Sequence, residues 1–110
     1  MPNAVTKATL TPVRKRLVEL MQEVNHGRVE RLEVRDGEPV LDPPPTILRT
    51  CLFGRENGPN AALCKDNFVL KKNVVEMFEI FDRYQSFMID ELVFADGLPV
   101  RMTIREKAQA

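Results

Sequence analysis

Tryptophan is absent, and tyrosine and histidine each occur once in 110 residues. Stacking platforms for unpaired bases are therefore scarce. A net charge is missing too: 16 Lys and Arg balance 16 Asp and Glu, which removes the bulk electrostatic case for nucleic acid or acidic lipid. No apolar run approaches the roughly 20 residues that a transmembrane helix needs, so no membrane contact is expected. Residues 1–10 lack the apolar core and small-residue cleavage site of a secretory signal. A cytoplasmic location follows as the expectation.

Cysteine is sparse as well. Cys51 and Cys64 lie thirteen residues apart, with His26 the sole imidazole. A secreted scaffold of this size carries more cysteines, and a zinc site needs more ligands. Free thiols are expected, with Cys51 buried in its apolar surroundings, and no metal or cofactor is expected. His26, in Asn25-His26-Gly27, reads as part of a helix end, with Gly27 supplying the left-handed residue that stops the helix. There is no glycine-rich phosphate loop, Ser-His-Asp order or HExxH motif. The expectation is a protein that is not an enzyme.

What is present is enough apolar material for one domain. Residues of the AVILMFWYC set make up 44% of the 12.6 kDa chain and charged residues 29%. About two-thirds of the extended surface is buried in a fold of this size.

The chain also resembles itself. Val13–Val24 matches Leu70–Phe81 at an offset of 57, with apolar positions 13, 17, 20, 21 and 24 recurring at 70, 74, 77, 78 and 81. That spacing is the stripe of an amphipathic helix. Thr11 and Pro12 suit the start of the first helix, and Asp66 or Asn67 the cap of the second. Downstream, Val29–Val40 parallels Ile89–Val100 at an offset of 60, sharing Asp-Gly-x-Pro-Val, a hairpin signal. The changed offset implies three extra residues around Tyr84–Phe87. The hairpin turn is expected to be a three-residue loop with a bulge, because that register gathers Leu92, Phe94, Leu98, Val100, Met102 and Ile104 on one face.

Single-domain organisation is expected over residues 1–110, with units at about 12–41 and 69–104. Between them lie a stiff Asp42-Pro43-Pro44-Pro45 connector and an extra strand at 46–53. Residues 61–65 are ambiguous, and both termini are expected to fray. The fold class is α+β: two helix–hairpin repeats forming a mainly antiparallel five-stranded sheet with two helices on one face.

The helix, His26-Gly27-Arg28-Val29, the alternating strand and Asp36-Gly37 together resemble the YezD-type small uncharacterised bacterial proteins. In that pattern a helix passes through an aromatic-Gly pair into a hairpin, and His26 stands in the aromatic slot. The second unit keeps neither that residue nor the glycine. The resemblance covers about residues 17–41 and 74–104, implies a small bacterial intracellular protein and carries no activity with it.

Two surfaces invite a function. Ile89, Val93 and Ala95 lie on the strand face opposite Phe94, leaving apolar side chains on both sides of the second hairpin, as a dimerising sheet face or, equally, a curved two-layer core would. Arg14, Lys15, Lys71 and Lys72 sit near helix starts, where cations oppose the helix dipole, and are candidate phosphate or partner contacts. Neutral charge and few aromatics disfavour nucleic acid. The expected role is a protein-interaction module acting through a homodimer or a protein partner; the alternative is a nucleic-acid-binding accessory protein using its basic helix starts.

Overall fold

A computed structural model describes residues 9–54, 58–59 and 71–106. Cys64, the 61–65 segment and the proposed caps Asp66 and Asn67 lie outside the described residues.

Two helices cover one face of a mainly antiparallel five-stranded sheet. Helix α1 (Pro12–Val24) begins as its sequence dictates: the Thr11 hydroxyl accepts the Arg14 N–H at 3.3 Å, and Pro12 fills the first turn where no donor is needed. Its stripe of Leu17, Val18, Met21 and Val24 is buried. Helix α2 (Lys72–Tyr84) buries Val74, Met77, Phe78 and Phe81, and its N-cap is Lys71, which makes no side-chain capping bond. Phe78 and Phe81 meet edge to face at 5.4 Å.

Neither helix stops on glycine. Asn25 (φ 70°) and Gln85 (φ 64°) take the positive-φ position, and their N–H groups return to the Met21 and Phe81 carbonyls. Gly27, expected as the helix stop, instead opens strand β1 (Gly27–Arg35). Its φ is 155°, and a Cβ there would run into the Leu48 carbonyl oxygen. Glycine is needed for close strand approach rather than for ending the helix.

Strands β2 (Glu38–Pro39) and β3 (Thr46–Arg49) both run antiparallel to β1 along the same side of it. They are two stretches of one edge, parted by the proline-rich segment 40–45. The extra strand expected at 46–53 is present as β3 over Thr46–Arg49, on the same edge as β2 with the prolines between them. Cys51, just beyond it, is exposed, contrary to the expected buried thiol. Strand β4 (Phe87–Ala95) pairs with β1 in the centre, and β5 (Leu98–Arg105) forms the far edge.

Both hairpins turn on two residues, not three. Arg35 faces Glu38 and Ala95 faces Leu98, while Asp36, Gly37, Asp96 and Gly97 all have φ between 53° and 78°. These are type I′ turns, whose twist matches that of the strands and which Asp-Gly accommodates. The register problem that favoured a longer loop is solved further along. A bulge lets Phe94 face Pro99 while Val93 faces Arg101, leaving Val100 as the extra residue. Leu92 then faces Met102, and Val100 is 59% exposed instead of inward.

The central strands change phase in the middle. Val29 and Leu32 on β1, and Ile89 and Leu92 on β4, are all 0% exposed although each pair is three residues apart. Arg31, at φ 56°, absorbs the extra residue on β1.

The elements recur at one spacing. Each helix has 13 residues and each central strand nine, and the second set lies 60 positions after the first. The helices are thus offset by 60 rather than 57, so no insertion separates helix from hairpin. The sequence match at 57 is a one-turn slip along an amphipathic stripe. The two halves clasp each other in the same way. Gly37 N–H donates to the Gln85 carbonyl at 2.7 Å, and Gly97 N–H to the Asn25 carbonyl at 3.0 Å. Asp36 N–H donates to Ser86 Oγ at 3.1 Å, and Asp96 N–H to His26 Nδ1 at 3.4 Å.

Candidate interaction surface

The basic residues singled out from the sequence do not form a matched pair of helix starts. Arg14 and Lys15 stand in the third and fourth positions of α1, whereas Lys71 precedes α2 and Lys72 opens it. Arg14 is engaged within the fold and its side chain is only 13% exposed. Its Nη2 donates to the Gly37 carbonyl at 2.7 Å and to Asp82 Oδ1 at 2.5 Å, and its guanidinium lies 5.0 Å from the Phe78 ring centre. A phosphate would have to displace that whole set. Lys15 is half-buried. Lys72 reaches Glu76 at 3.8 Å across one helical turn, an exposed pair of little energetic weight.

The apolar candidates divide as well. Ile89 is fully buried under the helices, because the mid-strand phase change turns it inward, and it is not an interface residue. Val93 and Ala95 are half-buried. Together with His26, Thr50, Leu52 and Asp96 they line a 310 Å³ hollow at the corner where α1 enters β1. Within it, His26 is 8% exposed and its carbonyl accepts the Thr50 N–H at 2.9 Å. His26 Nδ1 accepts from the Asp96 N–H at 3.4 Å, and its Nε2 lies 3.7 Å from Asp96 Oδ1.

The helix-free face of the sheet is laced with ion pairs. Glu91 joins Arg28 (3.5 Å) and Arg101 (2.9 Å), while Arg35 pairs with Glu33 and Arg105 with Asp90. The hydrogen bond to Asp90, and then the attraction of its carboxylate, raise the pKa of Arg105 above its already high ordinary value. This face offers balanced, mutually satisfied charge. It is unlike a cationic track for a phosphate backbone.

The remaining surface lies where α2 meets β5. A 170 Å³ groove runs between them, lined by Met77, Ile80, Pro99, Val100 and Met102 with Glu76 at its mouth. Asn73 fixes one end by donating to the Pro99 carbonyl at 2.9 Å. Tyr84, 47% exposed at the end of α2, packs edge to face against Phe87. Among the described residues, β5 pairs with β4 alone, so its outer backbone groups face outward, save at Pro99, which has no N–H and whose carbonyl takes the Asn73 amide. The opposite edge of the sheet is broken into stretches of two and four residues.

Ile80, Val100 and Tyr84 were not among the residues picked out from the sequence. Ile80 left a signal, since it is apolar yet lies off the stripe at 70, 74, 77, 78 and 81. Val100 left none that pairing arguments could read, because the bulge alone turns it out.

Among the described residues, no three side chains of His, Cys, Asp and Glu converge as metal ligands do, and no helix is long and apolar enough to cross a membrane. No protein-family model matches the chain, and no curated protein or solved structure does either.

Proposed function

We propose that this chain is a small, non-enzymatic, cytoplasmic protein-interaction module, of the YezD-like bacterial kind, that acts by self-association or by docking on a larger protein. The observation that carries this reading is the intact β5 edge beside the apolar α2–β5 groove. A strand of eight residues that, among the described residues, pairs on one side alone is a template for another strand. The groove beside it supplies apolar contact that an edge alone lacks. The exposed, unbridged Cys51 suits a reducing compartment.

The nucleic-acid alternative is less favoured: Arg14 is bound to Gly37 and Asp82, and Arg28, Arg35, Arg101 and Arg105 of the open face are paired with carboxylates.

Light scattering across a wide concentration range, with affinity capture from a bacterial lysate, tests the proposal. A dimer, or a captured partner lost when Val100 is changed to Lys, is the expected result. A strictly monomeric protein whose captured set is unchanged by Val100→Lys refutes it.

A further inference from the structure

We infer that the occupant of the β5 edge is a second copy of this chain, paired antiparallel through β5 about a two-fold axis at Met102. This rests on the interaction-module reading and names its partner.

The two sheet edges differ in the length of strand they offer. The edge formed by β2 and β3 is interrupted by Pro43, Pro44 and Pro45, a device that prevents edge pairing. The β5 edge extends from Leu98 to Arg105, with Pro99 and the bulge at Val100 confined to its first three residues and 101–105 regular.

The residues of β5 select the register. A two-fold axis perpendicular to the sheet keeps all helices on one face and sets each residue against one of like orientation. Centred on Met102, it places Met102 against its own counterpart, with the outward-turned Val100 at the level of Ile104 of the second copy. On the open face, Arg101 meets Thr103. Moving the axis to Thr103 would oppose Arg101 with Arg105, and moving it to Arg101 would oppose two copies of that arginine. Like charges directly opposite destabilise a sheet. Of these three registers, the one centred on Met102 opposes two apolar side chains at the axis and keeps the cations apart.

The helices agree with that axis. Asn73 marks where α2 lies level with Pro99. From Pro99 to Met102 is about 10 Å of strand, or about six to seven residues of helix, so Ile80 stands level with the axis. Glu76 and Arg83 lie on either side of Ile80. The two-fold therefore brings Glu76 of one copy to nearly the level of Arg83 of the other, in both directions. Among the described residues Glu76 has only the long 3.8 Å contact to Lys72, and no ion pair to Arg83 is found. The half-buried Ile80 and Met102, with the 59% exposed Val100, close the groove at the seam.

Sedimentation equilibrium on the full chain, with Cys51 and Cys64 changed to Ser, measures the association. The expected species has twice the 12.6 kDa monomer mass. Val100→Lys should weaken dimerisation at least about tenfold, with the far-ultraviolet spectrum unchanged because that side chain is largely exposed. Arg83→Glu should weaken it, and adding Glu76→Arg should restore it. Met102→Cys, introduced alone, should form a disulfide-linked dimer on mild oxidation, whereas Arg101→Cys alone and Thr103→Cys alone should not, and their mixture should cross-link. A dimer indifferent to Val100→Lys, or one that cross-links through Thr103→Cys alone, overturns the β5 seam. A monomer at all concentrations whose protein partner is nevertheless lost in Val100→Lys overturns the second copy as occupant while leaving the interaction-module reading in place.

Discussion

Replacing Arg14 by Ala should destabilise the fold by about 2–4 kcal/mol, far beyond what the loss of a surface cation costs. Four interactions go at once, the weakest a 3.7 Å contact of Nε with Glu38. The Gly37 carbonyl, held by Nε at 3.2 Å and Nη2 at 2.7 Å, loses its side-chain donors in a half-covered site, a change of about 1–3 kcal/mol. The guanidinium leaves the Phe78 ring, worth about 1 kcal/mol, and the aliphatic stem leaves its packing. The ion pair to Asp82 adds little, since that carboxylate is 63% exposed and such pairs are worth at most about 1 kcal/mol. These contributions share one side chain and overlap, so the upper half of their sum is not reached.

Urea unfolding followed by circular dichroism reads the effect, since a domain of this size has about 5–15 kcal/mol to lose. Arg14→Lys should fall between wild type and Ala, because an ammonium keeps the charge but lacks the planar fork. A double-mutant cycle with Asp82→Asn should give a coupling below about 1 kcal/mol. If Arg14→Ala costs less than about 0.5 kcal/mol, or the cycle with Asp82 accounts for most of the loss, then Arg14 is a surface cation after all and its proposed clamp on the Gly37 turn is wrong.

The other expectations concern placement. Ile89→Ala should cost about 2–4 kcal/mol as a core truncation, whereas Val93→Ser should cost much less; equal effects by thermal melt would contradict the phase change in β4. Gly27→Ala should destabilise by more than about 1 kcal/mol, because the methyl meets the Leu48 carbonyl and the φ is unfavourable; a neutral result would mean β3 does not lie against β1 there. His26→Ser, which copies Ser86, should preserve more stability than His26→Ala, since both Ser and His offer an acceptor to the Asp96 N–H; identical chemical denaturation midpoints would remove that clasp from the account. Lys71→Glu with Lys72→Glu should leave the retention of labelled single-stranded DNA in a gel shift at low salt unchanged from background; a shift of the wild type abolished by the pair would revive the nucleic-acid reading.

The amphipathic helices, the hairpin strands and the α+β class were legible because each rests on local periodicity. What failed rests on one-residue decisions that periodicity does not carry. Asp-Gly permits both a type I′ turn and a bulged loop, and counting apolar residues on one face chose the wrong one. The strand corrects its face with the bulge at Val100 instead. An unbroken alternation through β4 puts Ile89 on the side of Val93. The structure inserts a phase change between them, and Ile89 joins the core. Along a helix an apolar stripe matches itself almost equally well after a shift of one turn, so 57 and 60 compete. Only the helix ends, where Asn25 and Gln85 take the same backbone conformation, separate them.

That corrected spacing also explains why the basic residues misled and where the free surface lies. At an offset of 60, Arg14 corresponds to Val74, an apolar core residue. The cation therefore answers a local demand in one half, an acceptor at Gly37 and a carboxylate at Asp82, and has no counterpart to straddle a phosphate backbone with. The asymmetry that matters for association is at the edges. Each half has a hairpin with the same Asp-Gly turn on the same clasp. In one, prolines break the outer strand after two residues, and in the other it runs for eight. The strand left whole adjoins Ile80, Val100 and Met102, so the edge best able to recruit another strand is also the one with apolar side chains to bury beside it.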